Sequence, residues 1–220
     1  MNPPPAIMCI GRNYADHARE MGGTPPESPT VFMKNPASVI SDGESIIIPS
    51  ICNQHGPEVD YEGELAVILG SDLRDASPES AMASIESYAA ANDVSARWWQ
   101  KKGSGGQWIR GKSFDTFCPI GPRMDAAAVK DPQNVPLVTR VNGEIMQEAS
   151  TRDMIFSVLE LLVELSRGMT LLKGTVLLTG TPAGVGAGRT PPRFLEPGDH
   201  VEVALEGVGC VANTVHQAGS

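Results

Sequence analysis

Little in this chain supports disulfide, membrane or nucleic-acid chemistry. Its four cysteines, Cys9, Cys52, Cys118 and Cys210, stand far apart in 220 residues. There is no Cys-x-x-Cys pair and no histidine at zinc spacing, so they read as reduced, buried thiols of a reducing compartment. Basic residues are outnumbered, 17 Lys and Arg against 26 Asp and Glu, for a formal net charge of −9. The pair Lys101-Lys102 is the nearest thing to a basic cluster, which argues against binding nucleic acid or an anionic membrane surface. No apolar run is long enough to span a bilayer. The start, Met1-Asn2-Pro3-Pro4-Pro5, has neither the charged nor the apolar region of a signal peptide. A soluble cytoplasmic protein is expected. Nucleotide loops are missing too: the glycine-rich stretch 180–188 carries no Gly-Lys-Ser/Thr and opens no helix. Ser95, Ser113 and Ser150 stand outside any nucleophile-elbow pattern. Internal repeats and long linkers are also absent.

What is present suits one domain with a sizeable core: 41% hydrophobic and 20% charged residues is ordinary globular composition. Short strands are expected at Ile7-Met8-Cys9-Ile10, Thr30-Val31-Phe32-Met33-Lys34, Glu44 to Pro49, Ala89 to Val94, Val176 to Thr179, and in a closing hairpin at 200–205 and 210–213. Asn142-Gly143 between two β segments is a strong hairpin signal. Helices are expected at 15–22, from Ser77-Pro78 to about Tyr88, and over 151–167 as the one long helix. The expected class is α+β, mostly β, with a few helices.

The chain is organised around Asp60-Tyr61-Glu62-Gly63-Glu64-Leu65-Ala66-Val67-Ile68-Leu69-Gly70, which reads as a strand ending at glycine. Side chains alternate along a strand, so Glu62 and Glu64 share a face. Two carboxylates so placed stay in water, share a proton, or hold a cation between them. The last option needs a hard divalent ion on oxygen ligands. Asp93, at the end of an apolar small-residue run, is the best third ligand; an Asx turn is the plainer reading of it. Carboxylates and water favour magnesium or manganese over zinc.

Three further constellations bear on chemistry. His17 and Glu20 are three apart on a helix and hence on one face. That suits a dyad in which the acid orients an imidazole that takes a proton from water; an exposed helix salt bridge is the alternative. Lys112, between Gly111 and Ser113 in a strand-like context, could neutralise an enolate or a substrate carboxylate, or be an ordinary edge lysine. The 180–188 loop offers N–H groups to an anion, and Thr181 its hydroxyl or N–H. Trp98, Trp99 and Trp108 flank the loop 103–106, where core packing competes with covering a site.

These stretches together resemble the fumarylacetoacetate hydrolase superfamily, closest to its short acylpyruvase, fumarylpyruvate hydrolase and oxaloacetate decarboxylase members. The resemblance rests on Gly11-Arg12-Asn13-Tyr14-Ala15-Asp16-His17-Ala18-Arg19-Glu20, Phe32-Met33-Lys34-Asn35-Pro36, Tyr61-Glu62-Gly63-Glu64-Leu65-Ala66-Val67, Asn92-Asp93-Val94-Ser95-Ala96-Arg97, Gly111-Lys112-Ser113-Phe114-Asp115, Val141-Asn142-Gly143-Glu144, Met154-Ile155-Phe156-Ser157 and Leu178-Thr179-Gly180-Thr181-Pro182-Ala183-Gly184-Val185-Gly186. It implies a β-roll or barrel of the FAH type over residues 1–220, with 11–30 as a mobile lid, in a homodimer. It implies Mg2+ or Mn2+ on Glu62, Glu64 and Asp93, catalysis by His17, Glu20 and Lys112, and substrate contacts from Arg12, Gln100 and Thr181. Trp98-Trp99 depart from relatives that carry smaller or acidic residues there.

The expected activity is metal-dependent hydrolysis of a C–C bond in a 3-acylpyruvate-type acid, releasing pyruvate and a carboxylic acid. Decarboxylation of oxaloacetate, or isomerisation of a 2-hydroxymuconate-type diacid, at the same site is the alternative. A non-catalytic dimer binding metal or organic acid is the reading from another class. The missing N-terminal domain of longer relatives argues against tyrosine breakdown.

Overall fold

The computed structural model describes residues 3–219, so the reading of Met1-Asn2 lies outside the described residues. Strands dominate and helices are few and short. The larger sheet runs Thr30–Lys34, Ile7–Gly11, Val176–Leu178, Gly63–Leu69, Ile85–Asn92, Cys118–Ile120, Val39–Ser41, with Met124–Asp125 beside Ile85–Asn92. A second sheet runs Glu144–Ser150, Pro136–Val141, His200–Leu205, Gly209–Gln217, Ile46–Ile48.

Every residue of Gly63–Leu69 is buried, as expected of a strand covered on both faces. Alternation divides it between two cores. Leu65, Val67 and Leu69 face Val158, Leu161, Leu162 and Leu165 of the longest helix, together with Leu137, Val203 and Leu205 of the second sheet. Ala66 and Ile68 face Ile7, Cys9, Val176, Leu178 and Ile120. Each large aliphatic side chain so buried contributes roughly 2 kcal/mol. Glycine at position 63 is a packing requirement, because a Cβ there would land on Thr139 Oγ1 and press Val203 and Gln147.

The sheet is curled into a half-barrel. Thr30–Lys34 is four strands from Ile85–Asn92 in the order, about 19 Å across a flat sheet. Yet Lys34 Nζ lies 2.5 Å from Asp93 Oδ1, just past the end of Ile85–Asn92, and only curvature brings these two ends together.

Several expected elements are corrected. The 151–167 helix is two pieces, a 3-10 turn Thr151–Asp153 and a helix Val158–Ser166, because Ser150 with Asp153 and Ser157 with Glu160 each form a capping box and each box starts a new helix. The helix opened by Ser77 stops at Ala83; Ile85 to Tyr88 instead extend a strand that pairs with Gly63–Leu69, where tertiary pairing overrides local propensity. The strand expected across residues 60–70 is broken into Val59–Asp60 and Gly63–Leu69. Lys112 ends a helical turn, Ile109–Lys112, and does not lie on a strand. All four cysteines are free, but Cys210 is exposed, contrary to the expectation for it. The Asn142-Gly143 hairpin is present, with both residues at positive φ, as a two-residue turn of this type requires. Among the described residues no helix is long and apolar enough to cross a membrane.

Candidate active site

Backbone pairing assembles the acids. Gly63 pairs with Asn92 at the end of the Gly63–Leu69 and Ile85–Asn92 ladder. Beyond it the Glu62 N–H donates to Asn92 Oδ1 at 2.9 Å, and the Asp93 N–H donates to the Glu62 carbonyl at 2.8 Å. This latch sets Asp93 beside Glu62, and Glu64 lies one alternation further on. One carboxylate oxygen from each of Glu62, Glu64 and Asp93 lies within 4.8 Å of the others, and all three residues are buried.

Cations neutralise two of the three. Lys112 Nζ lies 2.6 Å from Glu62 Oε2 and 2.6 Å from Asp93 Oδ2. Lys34 holds Asp93 from the other side, and Arg97 lies 2.6 Å from Glu62 Oε1. Burial works against the Glu62 charge, but Lys112 and Arg97 outweigh it and hold its carboxyl well below the usual range. Burial likewise opposes the Lys112 charge, and Asp93 and Glu62 hold the ammonium above its ordinary value. Glu64 differs: among the described residues its carboxylate accepts one hydrogen bond, from the Gly180 N–H at 2.7 Å, and makes no ion pair, although the Lys112 charge acts on it from a distance. Burial first, then Asp93 and Glu62, raise it well above the carboxylate range. Three convergent hard oxygen donors, one without an ion pair among the described residues, fit a divalent cation that prefers oxygen.

The proton-transfer pair is built separately. Ala15–Glu20 is a single helical segment, so His17 and Glu20 lie one turn apart, with His17 Nδ1 3.2 Å from Glu20 Oε2. Glu20 Oε1 accepts the Gly184 N–H at 2.9 Å, which seats the helix on the 180–188 loop. A carboxylate on Nδ1 leaves Nε2 as the working nitrogen, and Nε2 has no partner among the described residues. Both residues are largely shielded from solvent, unlike an exposed helix salt bridge.

A cavity of about 220 Å3 joins the two groups. Of the expected site residues, Arg12, His17, Glu62, Gln100, Lys112 and Thr181 line it. Glu20 stands behind His17, and Glu64 and Asp93 complete the acid cluster with Glu62. Gln100 accepts from Arg97 through its Oε1 at 3.1 Å, and its amide N–H groups have no partner among the described residues. The Thr181 hydroxyl is already used: it donates to the Gly63 carbonyl at 3.0 Å and accepts from Gln147 Nε2 at 2.8 Å. Of the two expected donors of Thr181, the backbone N–H is the one that has no partner among the described residues. Trp108 lines the cavity, Trp99 packs in the core, and Trp98 stacks on His55 at 3.7 Å.

Sequence reasoning missed four supporting residues. Asp60 accepts Arg97 Nε at 2.8 Å and the Gly186 and Ala187 N–H groups at 2.7 and 2.9 Å. The alternation that pairs Glu62 with Glu64 also includes Asp60 and could have found it. Arg97 bridges Asp60, Glu62 and Gln100. Lys34 had no local signal. Asn13 ties the front of the His17 helix to Phe156 and Thr179 with its side-chain amide.

The profile of the family described as "Fumarylacetoacetate (FAA) hydrolase C-terminal" matches residues 6–216. The chain is 42% identical over 213 residues to the mitochondrial oxaloacetate tautomerase FAHD2A of Bos taurus, covering 96% of this chain and 67% of that protein. It is 43% identical over 216 residues to the oxaloacetate tautomerase YisK of Bacillus subtilis, covering 97% and 70%. Among solved structures, the fumarylacetoacetate hydrolase of Exiguobacterium antarcticum superposes with a TM-score of 0.88 at 44% identity, covering 98% of this chain and 76% of that one.

Proposed function

The chain belongs to the fumarylacetoacetate hydrolase family, and from that premise we propose that it interconverts the keto and enol forms of oxaloacetate. The observation that carries this reading is His17, with Glu20 on Nδ1 and an unengaged Nε2, in one cavity with Lys112, Gln100 and Thr181. Relatives named as oxaloacetate tautomerases support the choice of substrate.

Glu62, Glu64 and Asp93 would hold a divalent cation, magnesium or manganese, which when bound supplies positive charge against the oxygens of an enolate. The remaining work falls to the chain's own groups. Gln100 amide N–H groups and the Thr181 N–H orient the 2-oxo acid head. In the keto-to-enol direction His17 Nε2 takes the proton from C3 and delivers it to the 2-oxygen, and in the reverse direction it takes the enol O–H proton and delivers it to C3. Glu20 fixes the ring and stabilises the imidazolium. The Lys112 ammonium lies where negative charge develops. Ile10, Met21 and Phe32 form apolar walls that keep water from the enol.

The test follows decay of the oxaloacetate enol absorbance with magnesium supplied, in wild type and in His17→Ala. Loss of at least a hundredfold in the catalysed rate is expected; wild-type rates in the variant would sink the proposal.

A second reading is favoured by the same dyad, which equally suits activating a water, and by likeness to a protein named fumarylacetoacetate hydrolase. In it, His17 deprotonates water that attacks the distal carbonyl of a 3-acylpyruvate. Release of pyruvate from acylpyruvate or fumarylpyruvate, assayed beside oxaloacetate, separates the two. The proposal also takes residues 11–30 as a lid and the working form as a cytoplasmic homodimer, to be checked by light scattering. Val31 and Met33 are exposed on the edge strand Thr30–Lys34, which offers a dimer contact.

A further inference from the structure

Four cationic side chains, Arg12, Arg97, Lys101 and Lys112, line the cavity, and among the described residues only two of them have a carboxylate partner. Arg97 and Lys112 are bound to buried carboxylates. Arg12 and Lys101 line the same cavity, are exposed at its mouth, and meet no acidic side chain among the described residues.

Arg12 is held there by its neighbours. Its φ of 59° lies in the left-handed region, which a residue other than glycine adopts mainly where the surroundings impose it. On one side Gly11 lies under Trp108, so close that a Cβ would strike the indole. On the other side Asn13 is fully buried and fixed by three side-chain hydrogen bonds to Phe156 and Thr179. The resulting bend sets the guanidinium 5.9 Å from the Trp108 ring centroid. Lys101 ends the helix Arg97–Lys101, whose Arg97 and Gln100 also line the cavity. Its ammonium is held below its ordinary value by burial first, then by Arg97 and Arg12, so the cations act on one another. Unpaired like charges around one opening repel each other, and an anionic ligand relieves that repulsion.

We propose that Arg12 and Lys101 form a subsite for the second carboxylate of the substrate, so that the protein selects 2-oxo dicarboxylates over 2-oxo monocarboxylates. The subsite rests on reading the cavity as a 2-oxo acid site. With the 2-oxo acid head bound among Gln100, Lys112 and the Thr181 N–H, the remaining charge of a dicarboxylate meets Arg12, whose planar fork suits a carboxylate, and Lys101. A monocarboxylate leaves both cations unpaired. The same two charges at the mouth speed the approach of dianions at low salt.

The test reads binding, so it is independent of which reaction follows. Oxalate is titrated into the magnesium-supplied protein by calorimetry, then displaced by pyruvate or by 3,3-difluorooxaloacetate, which has no C3 proton to lose. Wild type is expected to prefer the dicarboxylate by about tenfold or more. Lys101→Met and Arg12→Gln should each cut that preference about fivefold, while the affinity for oxalate, which has no distal carboxylate, changes less than twofold. An unchanged preference in both variants overturns the subsite, as does an equal loss of oxalate affinity. A preference that responds as expected in a protein that does not turn over oxaloacetate supports the subsite and discards only the tautomerase reading.

Discussion

Asp60 Oδ2 lies 2.8 Å from Arg97 Nε, and the same carboxylate accepts the N–H groups of Gly186 and Ala187. One buried acid therefore fixes both the guanidinium beside Glu62 and the loop that seats Glu20. Asp60→Asn turns an amide donor toward other donors and leaves Arg97 with only one of its two carboxylate partners, Glu62. The variant is expected to lose about 3 kcal/mol of stability and at least tenfold in kcat. Thermal unfolding and steady-state kinetics check this; an unchanged melting temperature contradicts it.

Metal should stabilise as well as activate. Saturating magnesium or manganese is expected to raise the melting temperature by several degrees, as about 3 kcal/mol of linkage at a hundredfold excess over Kd requires. Glu64→Gln should abolish that rise, because it removes the negative charge of the one carboxylate that makes no ion pair among the described residues. Chelation should remove turnover of any 2-oxo acid, and the ion should restore it. Turnover that survives full metal removal is incompatible with the proposed site.

Gly188 offers a probe of the dyad alone. A Cβ at this position would collide with the Glu20 carboxylate, which must then leave its place against His17. Since a flexible side chain absorbs the clash, Gly188→Ala should unfold within about 1 kcal/mol of wild type and yet lose roughly tenfold or more in kcat. Equal activity in the two proteins would mean that Glu20 does not orient His17.

Asp199 governs acid stability away from the site. Burial raises its carboxyl, but Arg193 at 2.8 and 2.9 Å, the Glu196 N–H and Asn142 outweigh burial and hold it below the usual range. A carboxyl depressed in the fold stabilises above its unfolded value, near pH 4, and that stability is lost as pH falls through the folded value. Asp199→Asn should therefore cost about 2 kcal/mol at pH 7, with the gap closing below about pH 4. Melting curves at pH 7 and pH 3 with a constant gap would contradict this.

Legibility of the site follows from how local each relationship is. Glu62 and Glu64 were readable because strand alternation is a two-residue rule, and His17 and Glu20 because one helical turn spans three. Asp93 was readable from the expense of a charge after an apolar run. Lys34 was not: it reaches Asp93 only because the sheet curls, and no periodicity records curvature. Lys112 was found as a residue but set on the wrong element, since flanking glycine and serine suit a strand end as well as the helical turn Ile109–Lys112. The choice between the Thr181 hydroxyl and its N–H was not legible, because the hydroxyl's partners, Gly63 and Gln147, belong to distant strands. The fold class was legible from many short strands and few helices. The broken 151–167 helix was legible only if both capping boxes were counted.

The strand Ile7–Gly11 lies in the larger sheet between Thr30–Lys34 and Val176–Leu178, parallel to the latter. Its first partner begins at Thr30, and its second only at Val176. A ribosome therefore releases the first strand long before its inner edge can be covered, and the cleft between His17 and the acids cannot close until the last third has emerged. Such long-range closure favours slow folding. It also makes the unpaired inner edge of Ile7–Gly11 the segment where chaperones or self-association would act on the nascent protein.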